Sequence, residues 1–169
     1  MKKLPFFVFL LLSTSYPLNL NAEMPRLSPE CLEKIKTRNE QFNRIIMKDI
    51  IRDLELDIDE TNYFKVTERE LEAAHLIYGG KENDDYYESL HKQFMVASRG
   101  KPTLLMGAGE AYFLFKRPDH TNVALHLKLS NSKWEVDDTK ENKGTSIRFK
   151  LLKCEKDYLQ KKTEYYKVD

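Results

Sequence analysis

The spacing of the hydrophobic residues along this chain changes once, near residue 102. Before that point apolar residues recur every three or four positions, which is typical of amphipathic helices. After it, apolar and polar residues alternate, which is typical of strands with one buried face. The pattern therefore predicts helices in the first part of the chain and strands in the second.

Three segments of the first part carry signals for the start of a helix. Ser28-Pro29 offers an N-cap followed by proline at the first helical position, and helical spacing continues to about Arg52. Thr67 and Glu70 match a capping box. A third helix is expected to begin near Asn83 or Asp84. The segment 54–58 alternates and offers a strand between the first two helices.

The second part predicts an antiparallel meander, because short polar turns join its candidate strands. These strands are residues 103–106, 111–116, 122–130, 133–136 and 146–153. Residues 138–144 are polar and predict a loop. The expected fold class is α+β, with about three N-terminal helices packed on a curved antiparallel sheet of four to five strands.

The N-terminus is typical of a cleavable signal peptide. Lys2 and Lys3 precede the apolar run 6–12, and Ala22 offers a small residue for cleavage. The alternatives are cleavage nearer Ser15 and an uncleaved anchor, although the run is too short to span a bilayer. We expect residues 1–22 to be removed and residues 23–169 to form one α+β domain. The compartment expected is periplasmic or secreted, by bacterial export.

The charge balance argues against some classes of partner. The chain has 28 basic and 27 acidic residues, a net charge of +1. Binding to nucleic acid or to an anionic membrane surface relies on an excess of basic residues. We therefore expect no nucleic-acid partner and no membrane span after signal cleavage.

The chain contains two cysteines, Cys31 and Cys154. In an oxidising compartment an even pair usually forms a disulfide, and this one would join the first helix to the end of the last strand. Two buried free thiols are the alternative.

One hairpin resembles a known family. A strand of alternating leucines, a polar turn and then residues 134–138 (Trp-Glu-Val-Asp-Asp) are similar to the closing hairpin of nuclear transport factor two-like proteins, a cystatin-like α+β group. The resemblance extends over about residues 28–154 in element order and over 122–138 in residue detail. It implies a cavity between the helices and a concave sheet. Some members of this group are enzymes and many only bind.

Candidate ligand-binding residues follow from that cavity. His126 lies on the face of its strand opposite the leucines, where a histidine can titrate or bind a ligand. Trp134 and Tyr112 are aromatic candidates for the same lining. Tyrosine and tryptophan also anchor protein interfaces, which favours recognition over catalysis.

Motifs for catalysis and for metal binding are missing from the sequence. There is no G-x-S-x-G nucleophile motif, and the histidines lack the spacing of a helical metal site. Residues 57, 59, 61 and 68 have the spacing of a calcium loop, but Asn62 stands where the loop needs glycine and Lys65 brings a cation to the ion. We predict no catalytic residue, no metal and no cofactor.

Three hypotheses for function remain. The first is a non-enzymatic binding or inhibitor protein, and an immunity-type protein that neutralises a secreted toxin is one form of it. Its partner would be a protein in the envelope or extracellular space. The acidic loop with Asp57, Asp59 and Glu60 would face a basic cleft on that partner. The second is a small-molecule or lipid binder that uses the sheet–helix cavity. The third is a hydrolase or isomerase in which His126 acts with Glu110 or Asp138.

Overall fold

The computed structural model describes residues 24–58, 61–80 and 83–167. In these ranges the chain forms four helices and five strands. In chain order they are α1 (Pro29–Asp53), β1 (Phe64–Val66), α2 (Glu68–Tyr78), α3 (Asp84–Phe94), β2 (Thr103–Met106), β3 (Glu110–Lys116), β4 (Thr121–Ser130), β5 (Lys133–Lys143) and α4 (Lys153–Tyr165). The predicted signal peptide lies outside the described residues.

Local sequence signals set the beginnings of the first two helices. The side chain of Ser28 accepts a hydrogen bond from the backbone N–H of Cys31 at 3.2 Å, and Pro29 occupies the first helical position of α1. At α2 the hydroxyl of Thr67 accepts from the backbone N–H of Glu70, and the Glu70 carboxylate accepts from the backbone N–H of Thr67. The predicted caps of both helices are confirmed.

The strands form one antiparallel sheet in the order β1-β2-β3-β4-β5. The turn between β4 and β5 consists of Asn131 and Ser132, both at positive φ (49° and 63°), as the tightest hairpin turns require. The register shifts between His126 and Leu127, where β5 carries one extra residue, Asp137. The predicted α+β class and the antiparallel sheet are confirmed.

The prediction that three helices precede the sheet is wrong, because one helix does. The first strand, β1, follows α1 directly and pairs with β2, with Phe64 opposite Met106. Residues 54–58 do not form this strand. Leu54 and Leu56 are instead buried in the same core cluster as Ile46 and Ile50 of α1. β1 is only three residues long, so its identity depends on a partner that lies some forty residues further along the chain.

The boundaries of the last elements are also corrected. Residues 138–143 belong to β5 rather than to a loop, because the ladder with β4 continues to the pair Thr121–Lys143. These residues are polar since almost all of β5 is exposed. Residues 146–152 alternate in sequence but have no strand partner, and Phe149 and Leu151 are exposed.

Helices cover both faces of the sheet, whereas the sequence suggested one apolar face. Ile46 and Ile50 of α1 pack with Leu114 and other sheet residues on one face. Leu90 and Phe94 of α3, with Leu71 of α2, pack on the opposite face. The sheet is therefore a central layer, and side chains of both parities along β2 and β3 are buried.

A buried ion cluster joins α1 to the sheet. Lys116 Nζ, which is fully enclosed, donates to Asp49 Oδ2 at 2.8 Å and to the carbonyl oxygens of His120 and Thr145. Burial alone would raise the pKa of Asp49, but hydrogen bonds from Lys116, Asn122 and Thr145 outweigh it and hold that pKa far below its ordinary value. Every hydrogen of the ammonium group has an acceptor, so the cluster is structural.

The contacts between residues divide the chain into two units. One comprises Ser28–Leu152, and the described part of the other is residues 24–27 and 153–167. Helix α4 of the second unit contains no buried residue.

Cys31 stands in the first turn of α1 and Cys154 in the first turn of α4, rather than at the end of a strand. Both are disulfide-bonded, which confirms the predicted pair. No helix in the part of the chain that the structure describes is long and apolar enough to cross a membrane.

Candidate functional site

Two of the three predicted ligand-binding residues lie together. Tyr112 on β3 and His126 on β4 are direct partners across the two strands, and their rings stack with centroids 4.9 Å apart. Tyr63, just before β1, contacts the Tyr112 ring edge-on at 5.5 Å. The three rings lie side by side on the face of the sheet that α1 covers elsewhere.

The third predicted residue, Trp134, lies elsewhere. Its side chain is buried in the core between the sheet and α3, where its ring meets Tyr86 edge-on. Its backbone N–H donates to the hydroxyl of Ser89 at 3.0 Å. Trp134 therefore packs within the fold and does not share a surface with His126.

Each ring nitrogen of His126 faces a carboxylate. Nε2 lies 3.1 Å from Glu110 Oε2, and Nδ1 lies 3.2 Å from Asp137 Oδ2. His126 therefore lies between the two carboxylates, with one ring nitrogen at hydrogen-bond distance from each.

Tyr63 completes the cluster from the other side. Its hydroxyl donates to Glu110 Oε1 at 2.5 Å. This hydrogen bond, assisted by burial and by the charge of Glu110, raises the pKa of Tyr63 well above its usual range. Hydrogen bonds from Tyr63 and then His126 lower the pKa of Glu110. At neutral pH the phenol therefore stays protonated and the carboxylate stays ionised.

Lys128 forms an ion pair with the second carboxylate beside His126, that of Asp137. Its Nζ lies 2.9 Å from Asp137 Oδ2, and this hydrogen bond is the main cause of a lowered pKa for Asp137 and a raised pKa for Lys128. These shifts move the pKa values of both groups away from neutrality. At neutral pH Asp137 therefore stays ionised and Lys128 stays protonated.

A polar hollow of about 510 Å³ opens beside this cluster. We call it the acidic hollow. Its lining consists of Asp57, Asn62, Tyr63, Gly107, Ala108 and Glu110. Asp57 is exposed and has no ion-pair partner among the described residues. Burial, and then the negative charges of Glu110, Asp138 and Asp57, raise the pKa of Tyr112. The surroundings of Tyr112 are therefore electronegative.

The predicted partner-binding loop is thus described in part. Asp57 lines the acidic hollow, whereas Asp59 and Glu60 lie outside the described residues.

A second, larger groove of about 690 Å³ lies between α1 and the β1 edge of the sheet. We call it the α1–β1 groove. Its apolar wall includes Met47, Ile51 and Leu105. Arg44, Lys65 and Lys101 also line it, together with one acid, Glu40, and none of the three cations makes an ion pair with a described residue.

A third site lies where α2 meets α3, beside a cavity of about 430 Å³. Glu68, Glu72 and His91 place one ligand atom each within 4.8 Å of one another. The sequence did not predict a metal site here, because both glutamates lie on α2 and the histidine lies on α3.

The sequence pattern did not place Tyr63 or Asp137 beside His126. A partial signal existed for Lys128, which shares a strand face with His126 at a spacing of two residues. Tyr63 reaches the cluster because β1, which the sequence pattern did not locate, follows it directly. Asp137 reaches the cluster because it is the extra residue of the bulge in β5.

Comparison with known proteins finds no match to this chain among family models, curated proteins or solved structures. The resemblance to nuclear transport factor two-like proteins therefore stays a prediction, and function is inferred from the residues of the site.

Proposed function

We propose that this is an exported binding protein rather than an enzyme, and that the acidic hollow receives a cationic side chain of a protein partner. The partner class is a protein of the envelope or extracellular space with a lysine- or arginine-lined surface. An immunity-type inhibitor of a secreted toxin is one form of this function.

The observation that carries the proposal is the composition of the acidic hollow. Asp57 and Glu110 supply negative charge at its wall, and Tyr63 supplies an aromatic surface beside Glu110. A lysine or arginine that enters such a site gains both charge attraction and contact with the ring. Aromatic residues next to charged groups are typical of the residues that dominate binding energy at protein interfaces.

The protonation pattern supports binding over catalysis. Glu110 is kept ionised, and Tyr63 is kept protonated by donating to it. Both nitrogens of His126 are engaged by carboxylates. The catalytic alternative, with His126 and Glu110 as an acid–base pair, would need one of these groups to be released first.

The oxidised cysteines are compatible with export, because disulfides persist mainly in oxidising compartments. Export itself rests on the N-terminal sequence pattern.

The test is affinity capture with matched variants. We would immobilise the disulfide-bonded chain, Asp57→Asn/Glu110→Gln, and Glu33→Gln/Glu135→Gln as a control that removes the same charge from exposed positions outside the acidic hollow. Each would be exposed to envelope and secreted fractions of the source organism. We expect a stoichiometric basic protein on the wild type and on the control, and its loss from the hollow variant.

Salt dependence provides an independent measurement. Affinity for the captured partner should fall as ionic strength rises, because a charge contact at an open surface is screened. A partner retained equally by the hollow variant and the wild type would show that the acidic hollow is not the binding site. A blank capture with all three proteins would remove the support for a protein partner.

The α1–β1 groove favours a second candidate function, the binding of an anionic amphiphile such as a fatty acid. An apolar wall with Met47 and Ile51 suits an acyl chain, and the cations Arg44, Lys65 and Lys101 suit a carboxylate or phosphate head group. Ligand sites of this kind combine apolar lining with a few charged groups that set orientation.

Thermal unfolding with a panel of straight-chain fatty acids tests this candidate. Binding to the folded state should raise the midpoint in proportion to the logarithm of ligand concentration. Arg44→Gln/Lys65→Gln should reduce the shift, while Lys48→Gln/Lys92→Gln, which removes two cations that do not line the groove, should not. A panel without any shift would eliminate the amphiphile hypothesis.

A further inference from the structure

The hairpin formed by α2 and α3 brings acidic and imidazole side chains of two helices together. His75 lies 3.3 Å from Asp84 next to the connection, and His91 lies 3.5 Å from Glu72 further along. This order of contacts shows that the two helices run antiparallel. Glu68 precedes Glu72 by four residues, so both glutamates lie on one face of α2.

The three ligand atoms of Glu68, Glu72 and His91 have the spacing of a metal site. They lie within 4.8 Å of one another. Ligands about 2.0–2.2 Å from a tetrahedral Zn²⁺ ion are about 3.4 Å apart. The His91–Glu72 distance of 3.5 Å already matches this value. Glu68 is exposed, and a change in its side-chain rotamer is the movement that metal binding requires of it.

We propose that Glu68, Glu72 and His91 bind one divalent transition-metal ion, with Zn²⁺ as the reference case. The imidazole nitrogen decides the class of ion, because imidazole suits zinc, copper, nickel and iron whereas calcium and magnesium prefer oxygen ligands. This site is separate from the acidic hollow and does not depend on the function proposed for it.

The position of the site gives the bound ion a further role. Glu72 and His91 both line the cavity between α2 and α3, together with Leu71, Tyr87 and Met95. Three protein ligands leave a tetrahedral ion with one open position. That position is available to a donor atom of water or of a ligand that enters the cavity.

Two other histidines of the chain provide matched controls. Within the part of the chain that the structure describes, His75 pairs with one carboxylate, Asp84. His126 contacts two carboxylates, but through opposite ring nitrogens, so they cannot converge with it on one ion. Replacing either should leave zinc affinity unchanged if Glu68, Glu72 and His91 form the site.

The test is calorimetric titration of ZnCl₂ into the disulfide-bonded chain, purified without a histidine tag. We expect saturable binding of one ion per chain, loss of this binding in His91→Gln and in Glu68→Gln/Glu72→Gln, and wild-type binding in His75→Gln and His126→Gln. CaCl₂ should not compete. Titration with Co²⁺ should give a visible absorption band that disappears in His91→Gln.

Loss of fold is distinguished by measuring each variant without metal. His91 is 40% exposed and Glu72 is 55% exposed, so far-UV circular dichroism and the unfolding midpoint should match those of the wild type. No saturable binding by the wild type, or equal zinc binding by folded His91→Gln, would overturn the proposal. Equal competition by Ca²⁺ would overturn the assignment to a transition metal.

Discussion

Replacing Lys116 by methionine is expected to destabilise the fold by about 3–5 kcal/mol, the usual cost of removing one partner of a buried ion pair. The Lys116 side chain is 0% exposed, and that of its partner Asp49 is 5% exposed. Methionine keeps most of the volume but donates no hydrogen bond. The carbonyl oxygens of His120 and Thr145 then lose a donor, and the Asp49 carboxylate loses its buried cation and keeps only Arg52, whose side chain is 74% exposed.

The assay is urea unfolding followed by circular dichroism at neutral pH. Arg117→Gln is the control, because it breaks an ion pair with Glu141 whose side chains are 43% and 38% exposed. Exposed pairs contribute only about 0–1 kcal/mol, so the control should change little. The double variant Asp49→Asn/Lys116→Met should recover part of the loss, because it leaves no unpaired charge in the core.

The reasoning would be refuted if Lys116→Met cost no more than Arg117→Gln at an unchanged denaturant slope. That result would mean that the free-energy cost of burying the charged groups of the cluster almost completely cancels the stabilisation from their hydrogen bonds. Even the lower end of the expected loss, about 3 kcal/mol, would be a large fraction of the 5–15 kcal/mol typical of a whole domain.

Four further predictions concern stability. The pKa of Asp49 is lower in the folded state than in the unfolded state, so the Asp49 carboxylate contributes fully to the free energy of unfolding above pH ~4. This contribution is lost as the pH falls through the folded-state pKa. When the free energy of unfolding is measured against pH, Asp49→Asn should therefore show a shallower decline in acid than the wild type. Thr67→Ala removes the cap of α2 and should cost about 1 kcal/mol in urea unfolding, whereas retention of wild-type stability would show that the cap is dispensable. Ser132→Gly should stabilise the hairpin by about 1 kcal/mol, because glycine adopts the φ of 63° without strain; a lower unfolding midpoint would contradict this. Cys154→Ser removes the disulfide and should lower the free energy of unfolding by about 4–5 kcal/mol in the chain-entropy model. Reduction of the wild-type disulfide is the control and should lower it by the same amount.

Short-range chemistry explains what could be predicted about the helices. Ser28 and Thr67 cap helices through residues three positions away, so a short stretch of sequence contains both partners of each contact. The hairpin turn at residues 131–132 is similarly local. The α+β class followed from the change of hydrophobic period, and the disulfide followed from the presence of only two cysteines.

The candidate site was predictable in part. His126 and Tyr112 were identified by residue type and strand face, and they do stack. Glu110 was named as a carboxylate for His126 in the catalytic hypothesis, and it does contact His126. Tyr63 and Asp137 were not identified, because the first depends on β1 and the second on a bulge in β5.

By itself, then, the sequence determined the class of fold, the caps of α1 and α2, the central strands and the cysteine pair, all of which follow from composition or from contacts a few residues long. Only the tertiary structure decided that 138–143 belong to a strand, that helices cover both faces of the sheet, and that Lys116 is buried with Asp49. It also brought His91 to the glutamates of α2. These features join residues distant in the chain, and their pairing depends on the register and packing of elements that a local pattern does not contain.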